Sequence, residues 1–329
     1  NFKTYSDLSQ KIDELVQKQS DNVELHERDV AIHETIQKVK PATVKIYRYK
    51  NFTVGGLDSL LPSDLLGQGA IITGDGWIVT NNNVVKSKNQ KFWLVTNDHT
   101  LYETEEVVIN ETTGMSFIKI KANNLPVVAF NLRSDLVDGQ SVFIFGYNSG
   151  VMSSTIKSRS YSGLNVFGDY SHSSEEFYKF IQLTESVSAE FVGSPVVTLD
   201  GKVAGFVEDD SGLVRPIDQL TSLMKQIVQG EDWDQPYLGV RFYDLAEVLS
   251  PLIKETKGAM VTKSGIGYQS PFLGLIEPMD IILKVEGEEL SQNKNLPELM
   301  AQYKPGDTIK FVVKHGDEER EVEVKLKSR

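Results

Sequence analysis

Short runs of β-branched and aromatic residues, separated by turn sequences, recur along the chain after Pro41. Many short strands at this spacing favour an antiparallel barrel or sandwich. Gly74-Asp75-Gly76 and Leu199-Asp200-Gly201-Lys202 have the glycine that supplies a positive φ in a hairpin turn. The runs that we interpret as strands are 42–49, 69–73, 77–80, 92–96, 117–120, 141–145, 179–183, 195–198 and 202–207.

The first 40 residues have a different pattern, because residues 5–40 are charged and contain neither glycine nor proline. Their apolar residues are four and three positions apart, which predicts one or two amphipathic helices that end at Pro41. The two apolar stripes fall out of phase, so a continuous coiled coil is weakly specified. The stripes consist of Leu8, Ile12 and Leu15, then Ile32, Ile36 and Val39.

The last third of the chain begins with an amphipathic segment at 218–229 that Gly230 closes, which predicts a helix. Beyond it we predict a small mixed domain with strands at 238–242, 258–263, 281–285, 308–314 and 320–326, and helices at 245–255 and 296–303. The predicted division is a helical segment at 1–40, a β domain at 41–230, a linker at 231–236 and the mixed domain at 237–329.

Composition excludes several classes of protein. The 329 residues suggest two domains and an additional segment. A net charge of −12 disfavours binding to nucleic acids and to anionic membranes. The absence of cysteine excludes disulfides, thiolate metal sites and a cysteine nucleophile. No run approaches the roughly 18 apolar residues that span a bilayer, and we expect a signal or membrane anchor upstream of Asn1.

Five segments carry a family resemblance: GQGAII at 67–72, GDGWIVTN at 74–81, GYNSG at 146–150, residues 181–196, and LDGKVAG at 199–205. Their order and spacing resemble those of the HtrA (Deg-like) family of chymotrypsin-fold serine proteases with a C-terminal PDZ domain. The resemblance runs from about Pro41 to Lys327. It implies a mainly β fold, namely a chymotrypsin-like double β-barrel followed by a small α+β PDZ domain, here with an N-terminal helical segment.

The departures from the family pattern fall on the catalytic positions. Asn83 stands at the histidine of TNAHVV, Gly114 at the aspartate of TDLAVIKI, and Val192 at the serine of GNSGGP. Asparagine has no useful base and valine has no nucleophilic atom, while glycine cannot orient an imidazole. In the oxyanion loop, Glu190 and Phe191 replace Gly-Asn, and a carboxylate there opposes a developing negative charge. The resemblance therefore implies a pseudoprotease, an inactive homologue of a serine endopeptidase.

The alternative to an inactive homologue is that a different set of residues catalyses hydrolysis. Ser188 and Ser194 flank the lost nucleophile, and His99 and His172 lie in the same domain. A displaced serine still needs a positioned base and oxyanion donors.

Other candidate sites carry weaker signals. His26 and His33 share a helix face near Glu27, Asp29 and Glu34, but a metal site needs three or four converging ligands. The acidic stretch 208–210 is a solvated loop or a calcium site, and we favour the loop. The leucine-rich stretch 51–66 packs locally or reaches a neighbouring subunit. We expect neither a metal nor a cofactor.

One predicted binding site, a carboxylate-binding loop, has a complete sequence motif. Tyr237-Leu238-Gly239-Val240 resembles the carboxylate-binding loop that opens HtrA PDZ domains, and 258–261 and 270–282 follow the family pattern, with Met279 in place of a glycine. A PDZ domain adds an extended C-terminus as a strand and holds its carboxylate with loop amides. By resemblance, the other wall of the groove is the helix that carries Leu296, Leu299 and Met300. The alternative is a groove that is blocked or that packs on the barrel.

The sequence thus predicts an extracytoplasmic HtrA-like pseudoprotease, in the cell envelope or secreted, that acts as a scaffold or regulator. Its expected partners are protein C-termini or unfolded polypeptides bound through the PDZ domain, and an active HtrA paralogue is a further candidate. We expect a homo-oligomer, a trimer, to which the segment from Leu8 to Val39 contributes. The alternatives are an HtrA-class protease with residual or unconventional activity and a holdase chaperone.

Overall fold

The computed structural model describes residues 9–14, 27–52, 59–146, 150–162, 170–230, 235–248, 251 and 253–328. The predicted fold class is confirmed: the chain is mainly β, and two closed barrels precede a PDZ domain. In the described part of the chain, no helix has the length and apolar character needed to cross a bilayer.

The first barrel consists of six antiparallel strands in the order β1-β2-β3-β6-β5-β4. Alternating side chains point inward, as in β4, where Phe92 and Leu94 are fully buried. Gly76 has a φ of +105°, which confirms the hairpin turn predicted before β3. The strands are β1 (Thr43–Arg48), β2 (Leu65–Ile71), β3 (Trp77–Asn81), β4 (Phe92–Thr96), β5 (Leu101–Asn110) and β6 (Met115–Ile120).

The second barrel has the strand order β12-β8-β9-β11-β14-β13, and pairing between β12 and β13 closes it. Gly201 has a φ of +78°, which confirms the second predicted hairpin turn. The strands are β8 (Ser141–Gly146), β9 (Gly150–Ser162), β11 (Lys179–Leu183), β12 (Pro195–Thr198), β13 (Lys202–Val207) and β14 (Leu213–Pro216), with the short β7 (Ala129–Phe130) added parallel to β13.

Two helices pack on the core where the two barrels meet. Residues 9–14 form α1, whose described side chains are exposed. Helix α2 (Glu27–Val39) packs Ile32, Ile36 and Val39 against a core shared by both barrels. The apolar stripe of α2 is therefore used within the chain. Helix α3 (Thr221–Val228) joins the same core, preceded by a 3-10 turn and ended at Gly230.

The PDZ domain is a sheet in the order β16-β17-β18-β20-β21, with β19 beside β18. A strand of the barrel domain, β10 (His172–Ser173), extends this sheet by pairing with β16. The elements are β15 (Pro236–Tyr237), β16 (Val240–Asp244), β17 (Ala259–Ile266), β18 (Ile281–Val285), β19 (Glu288–Glu289), α4 (Leu296–Met300), β20 (Thr308–His315), β21 (Glu318–Lys325) and β22 (Lys327–Ser328), which pairs with β15.

The helix predicted at 245–255 is wrong. None of the described residues in this range is helical, and 249, 250 and 252 lie outside them. The Oδ1 of Asp244 accepts a hydrogen bond from the backbone of Ala246 at 2.9 Å, which forms a turn directly after β16. Pro251 cannot donate the backbone hydrogen bond that a helix interior requires.

Candidate functional site

Asn83 and Val192 lie in one cleft of the barrel domain, with a volume of about 320 Å³. Asn83 follows β3 in a turn where its backbone N–H donates to Asn81 Oδ1 at 2.7 Å. Val192 follows the 3-10 turn Ala189–Phe191. The fold thus brings together two positions of the triad pattern, and neither side chain has a basic or nucleophilic atom. The other lining residues are Leu66, Gly67, Val84, Ala189, Glu190, Asp209 and Asp210.

Gly114 lies beside this cleft, in the turn that leads into β6. Its carbonyl accepts a hydrogen bond at 2.8 Å from the backbone of Asn82, the neighbour of Asn83. Its φ is +68°, and a Cβ at this position would lie 3.1 Å from Glu208 Oε1. Glu208 is itself paired with Arg215 at 2.8 Å. A carboxylate at position 114 would therefore face a second carboxylate, which disfavours its ionised form.

The loop that corresponds to an oxyanion hole is folded as a closed turn. The backbone amides of Phe191 and Val192 donate to the carbonyls of Ser188 at 2.9 Å and Ala189 at 3.2 Å. An amide engaged in such a turn is not directed at a substrate oxygen. Phe191 is buried and lies against Gly146, where an added Cβ would come within 2.7 Å of its ring.

The candidates for a displaced catalytic site lie in separate surroundings. Ser194 is fully buried, and its Oγ accepts a hydrogen bond from Gln68 Nε2 at 2.6 Å, while Ser188 is exposed. His172 contacts the PDZ domain, and His99 lines another cavity, of about 700 Å³. Among the described residues, no hydrogen bond joins either serine to a histidine, and the Ser188 hydroxyl donates instead to Glu190 Oε1 at 3.4 Å.

Within the described residues, the remaining candidates do not come together as a metal site. In the part of the chain that the structure describes, no three histidine, aspartate or glutamate residues could hold a metal ion together. His33 is exposed on α2, and His26 lies outside the described residues. In the stretch 208–210, Asp209 Oδ1 accepts a hydrogen bond from the backbone of Ser211, which forms a turn. Residues 53–58 of the leucine-rich stretch also lie outside the described residues.

The carboxylate-binding loop of the PDZ domain is occupied by the chain itself. The backbone amides of Leu238 and Gly239 both donate to Glu175 Oε1, at 3.0 and 2.8 Å. The next amide, of Val240, donates to Ser174 Oγ at 3.0 Å. Gly239 has a φ of +66°, and a Cβ there would lie 2.5 Å from the Tyr237 hydroxyl, so this turn requires glycine. The loop predicted to bind a carboxylate thus binds one from the barrel domain.

The predicted groove wall is also covered. Leu296, Leu299 and Met300 are at most 2% exposed and belong to one apolar core with Tyr178 of the barrel domain. The Tyr178 hydroxyl donates to Asp244 Oδ2 at 2.9 Å. Burial, together with the Asp244 carboxylate, raises the pKa of Tyr178 well above its ordinary value, so this hydroxyl keeps its proton.

Ion pairs hold the PDZ domain against the barrel on both sides of the groove. Lys179, which is 1% exposed, lies 3.2 Å from Asp244 and also pairs with Glu247. His172 Nε2 lies 3.2 Å from the same Glu247 carboxylate. Burial disfavours ionised Glu247, but the hydrogen bonds from His172 and Lys179 outweigh it, so the pKa of Glu247 is lowered.

On the helix side of the groove, Arg133 of the barrel domain donates to Glu298 of α4 at 2.7 Å. Gln219 Nε2 donates to the same Glu298 oxygen at 2.9 Å. Burial raises the pKa of Asp218, although Arg133 lies 3.1 Å away and opposes this rise. Glu298 and Asp218 outweigh the effect of burial on Arg133, so the pKa of its guanidinium is raised and it stays charged.

The sequence interpretation missed Ser174, Glu175 and Tyr178. These residues lie in the stretch 172–178, which reads His-Ser-Ser-Glu-Glu-Phe-Tyr and has no alternating apolar pattern. Glu175 meets its partners 63 and 64 positions later in the chain. The only available signal was the carboxylate-binding loop itself, because any carboxylate is a candidate ligand for it.

Two sequence families match the chain. Residues 67–206 match the trypsin-like peptidase domain, and residues 236–326 match the PDZ domain. Among solved structures, the HtrA-type protease AlgW with tripeptide is 20% identical and covers 91% of this chain and 97% of its own, with a TM-score of 0.67. At that identity, the similarity shows the shared fold.

Curated relatives match most of the chain. The probable periplasmic serine endoprotease DegP-like of Hahella chejuensis is 27% identical over 270 residues, which cover 77% of this chain and 55% of the relative. Serine protease HTRA1A of Danio rerio is 26% identical over 315 residues, covering 88% of this chain and 62% of the relative. The chain spans about half the length of the DegP-like relatives that it matches. With its barrels followed by a PDZ domain, the chain belongs to the HtrA family of trypsin-like peptidases.

Proposed function

We propose that this chain is an HtrA-class pseudoprotease that acts by binding proteins, as a scaffold or regulator, and does not hydrolyse them. The observation that carries the proposal is the cleft that contains Asn83 and Val192, because neither residue can act as base or nucleophile. The closed turn at Phe191 and Val192 supports it further, since it engages the amide that would stabilise an oxyanion.

A protease assay tests the proposal. The intact chain is incubated with casein and with a fluorogenic peptide, and we expect cleavage no faster than in buffer. In a related triad, loss of all members lowers kcat by about 10⁶-fold. Ser188→Ala and Ser194→Ala serve as matched variants. Cleavage by the parent that either variant abolishes would establish an unconventional hydrolase and overturn the proposal.

The proposed recognition site is the PDZ domain, through the loop Tyr237-Leu238-Gly239-Val240. The ligands that fit it are protein C-termini or unfolded polypeptides, since loop amides bind a carboxylate and the sheet edge binds an extended strand. An active HtrA paralogue is one such partner. The DegP-like relatives are named as periplasmic proteins, which supports an extracytoplasmic location for this chain as well. Trimeric assembly stays a prediction that the mass of the intact chain in solution tests.

A further inference from the structure

Residues 172–175 lie on the PDZ domain as a peptide ligand does. His172 is paired with Phe242 and Ser173 with Arg241, in antiparallel register, so β10 is an added strand on the edge of the PDZ sheet. The backbone N–H of Ser174 continues the ladder by donating to the carbonyl of Val240 at 2.9 Å. Strand addition at a sheet edge is the means by which such domains take up extended peptides.

The carboxylate at the end of this strand takes the place of a peptide terminus. Glu175 is 6% exposed, and its Oε1 accepts both the Leu238 and the Gly239 amides. The hydroxyls of Ser173 and Ser174 donate to its two oxygens at 2.9 and 2.7 Å. A glutamate side chain ends in the same carboxylate group as a polypeptide. Its hydrogen bonds in the described residues come from backbone amides and hydroxyls, as in a backbone anion site.

The chain then turns back and places Tyr178 where the side chain of a ligand would pack. The Tyr178 ring meets Phe242 edge-on, with centroids 6.2 Å apart, and shares a core with Leu296 and Leu299 of α4. His172 stacks on the Tyr178 ring, with centroids 3.6 Å apart. Carboxylate site, sheet edge and apolar wall are thus all occupied by one segment of the barrel domain.

We infer that residues 172–178 are an in-chain ligand that closes the PDZ groove, and that an external C-terminus binds only by displacing them. This inference rests on the proposed role of the PDZ domain as a carboxylate receptor. The competing ligand must supply three features at once: a terminal carboxylate for the amides of Leu238 and Gly239, an extended strand, and an aromatic or large apolar side chain to replace Tyr178.

A peptide titration with the full chain tests the closure. The probe is a fluorescein-labelled hexapeptide that ends in phenylalanine with a free carboxylate, and its C-terminally amidated form is the ligand control. Glu175→Ala removes the competing carboxylate, and Glu175→Gln removes its charge at nearly unchanged volume. Glu176→Ala is the matched control, because Glu176 is the adjacent acid and its side chain is exposed.

We expect Glu175→Ala to bind the free-carboxylate peptide at least about tenfold more tightly than the parent, since an open fraction of a tenth or less weakens apparent affinity by that factor. Glu176→Ala should bind as the parent does, and the amidated peptide should bind to none of them. Equal affinities for the parent and both Glu175 variants would overturn the inference.

Hydrogen exchange without any peptide separates this inference from the proposed function. If Glu175 holds the loop closed, the Leu238 and Gly239 amides exchange slowly in the parent and faster in Glu175→Ala, while amides of the barrel core keep their protection. Unchanged exchange at the two loop amides would overturn the closure. Faster exchange in a Glu175 variant that binds no peptide would uphold the closure and overturn C-terminus binding by the PDZ domain.

Discussion

The barrel cleft and the PDZ loop differ in how each site is withheld from an external ligand. The cleft depends on side chains, and Asn83 and Val192 supply neither a base nor a nucleophile at the positions where the family has them. The PDZ loop depends on backbone amides, and those of Leu238 and Gly239 still converge on one oxygen, that of Glu175. These two side chains of the cleft carry no basic or nucleophilic atom, whereas the PDZ loop has its amides and they are occupied.

This difference follows from what substitution can change. Replacing a side chain can remove a base without moving the strands around it, so a barrel can keep its fold with asparagine and valine at the positions of Asn83 and Val192. A backbone N–H belongs to every residue except proline, so replacing a side chain does not remove it. Occupying such a loop with another carboxylate is therefore an effective way to withhold it.

The largest difference to be overcome lies in the barrel cleft. We expect that no single substitution there restores peptide cleavage. Asn83→His, Gly114→Asp and Val192→Ser, tested one at a time with the fluorogenic peptide, should each leave cleavage at the buffer rate. Triad members act as a unit, and the gap to be closed is about 10⁶-fold in kcat. The combination of all three with Glu190→Gly is the minimum for any recovery. A single variant that cleaves tenfold faster than the parent would contradict this prediction.

The combined variant meets an additional obstacle at Gly114. Its backbone is in the left-handed region, and Glu208 Oε1 would lie 3.1 Å from a new Cβ. A carboxylate introduced there is repelled by Glu208 unless Arg215 neutralises both. By contrast, we expect a single substitution at Glu175 to open the PDZ loop. The two sites therefore differ in the number of substitutions needed to make each one functional.

The second largest effect concerns the ion pairs that hold the groove closed. Lys179→Met should lower the free energy of unfolding by about 3–5 kcal/mol, because it leaves the buried Asp244 and the partly buried Glu247 without their shared cation. Lys202→Met is the matched control, since the Lys202–Asp200 pair is about half exposed and such pairs contribute about 0–1 kcal/mol. Urea denaturation measures both. Equal losses in the two variants would show that the buried pair does not stabilise the closed arrangement.

Much of the barrel could be predicted from the sequence, because its short apolar runs alternate with turns. The strands Lys179–Leu183, Pro195–Thr198 and Lys202–Val207 begin and end where the sequence pattern placed them. Two long strands, Leu101–Asn110 and Gly150–Ser162, were missed. Both are rich in charged or hydroxylated residues, and most of their residues are exposed or half-buried. Their apolar alternation is therefore weak, and pairing with neighbouring strands stabilises them.

The two candidate sites differed in how far the sequence could predict them. The departures from the family pattern at Asn83, Gly114 and Val192 could be identified from the sequence, because the motifs around them are retained. The closure of the PDZ loop was not visible, because a two-residue strand and one glutamate carry no periodic signal. Pairing between Glu175 and residues more than sixty positions away is set by how the two domains dock. A sequence pattern predicts which face of a helix or strand is buried. It does not predict which distant segment of the chain packs against that face.

The smallest expected effect is a pH dependence of the closed arrangement, carried by Glu247. Its pKa is lowered in the folded chain from a usual value of 4.5, since hydrogen bonds from His172 and Lys179 outweigh burial. A lowered folded-state pKa means that this carboxylate stabilises the fold above about pH 4.5 and that the contribution is lost as the pH falls through the folded-state value. We therefore expect Glu247→Gln to be about 1–2 kcal/mol less stable than the parent at pH 7, with the difference shrinking toward pH 3. Urea denaturation at several pH values measures it, and Glu176→Gln, at an exposed acid, should match the parent throughout. A difference for Glu247→Gln that stays constant from pH 7 to pH 3 would mean that packing, and not the ionised carboxylate, holds the PDZ domain at this contact.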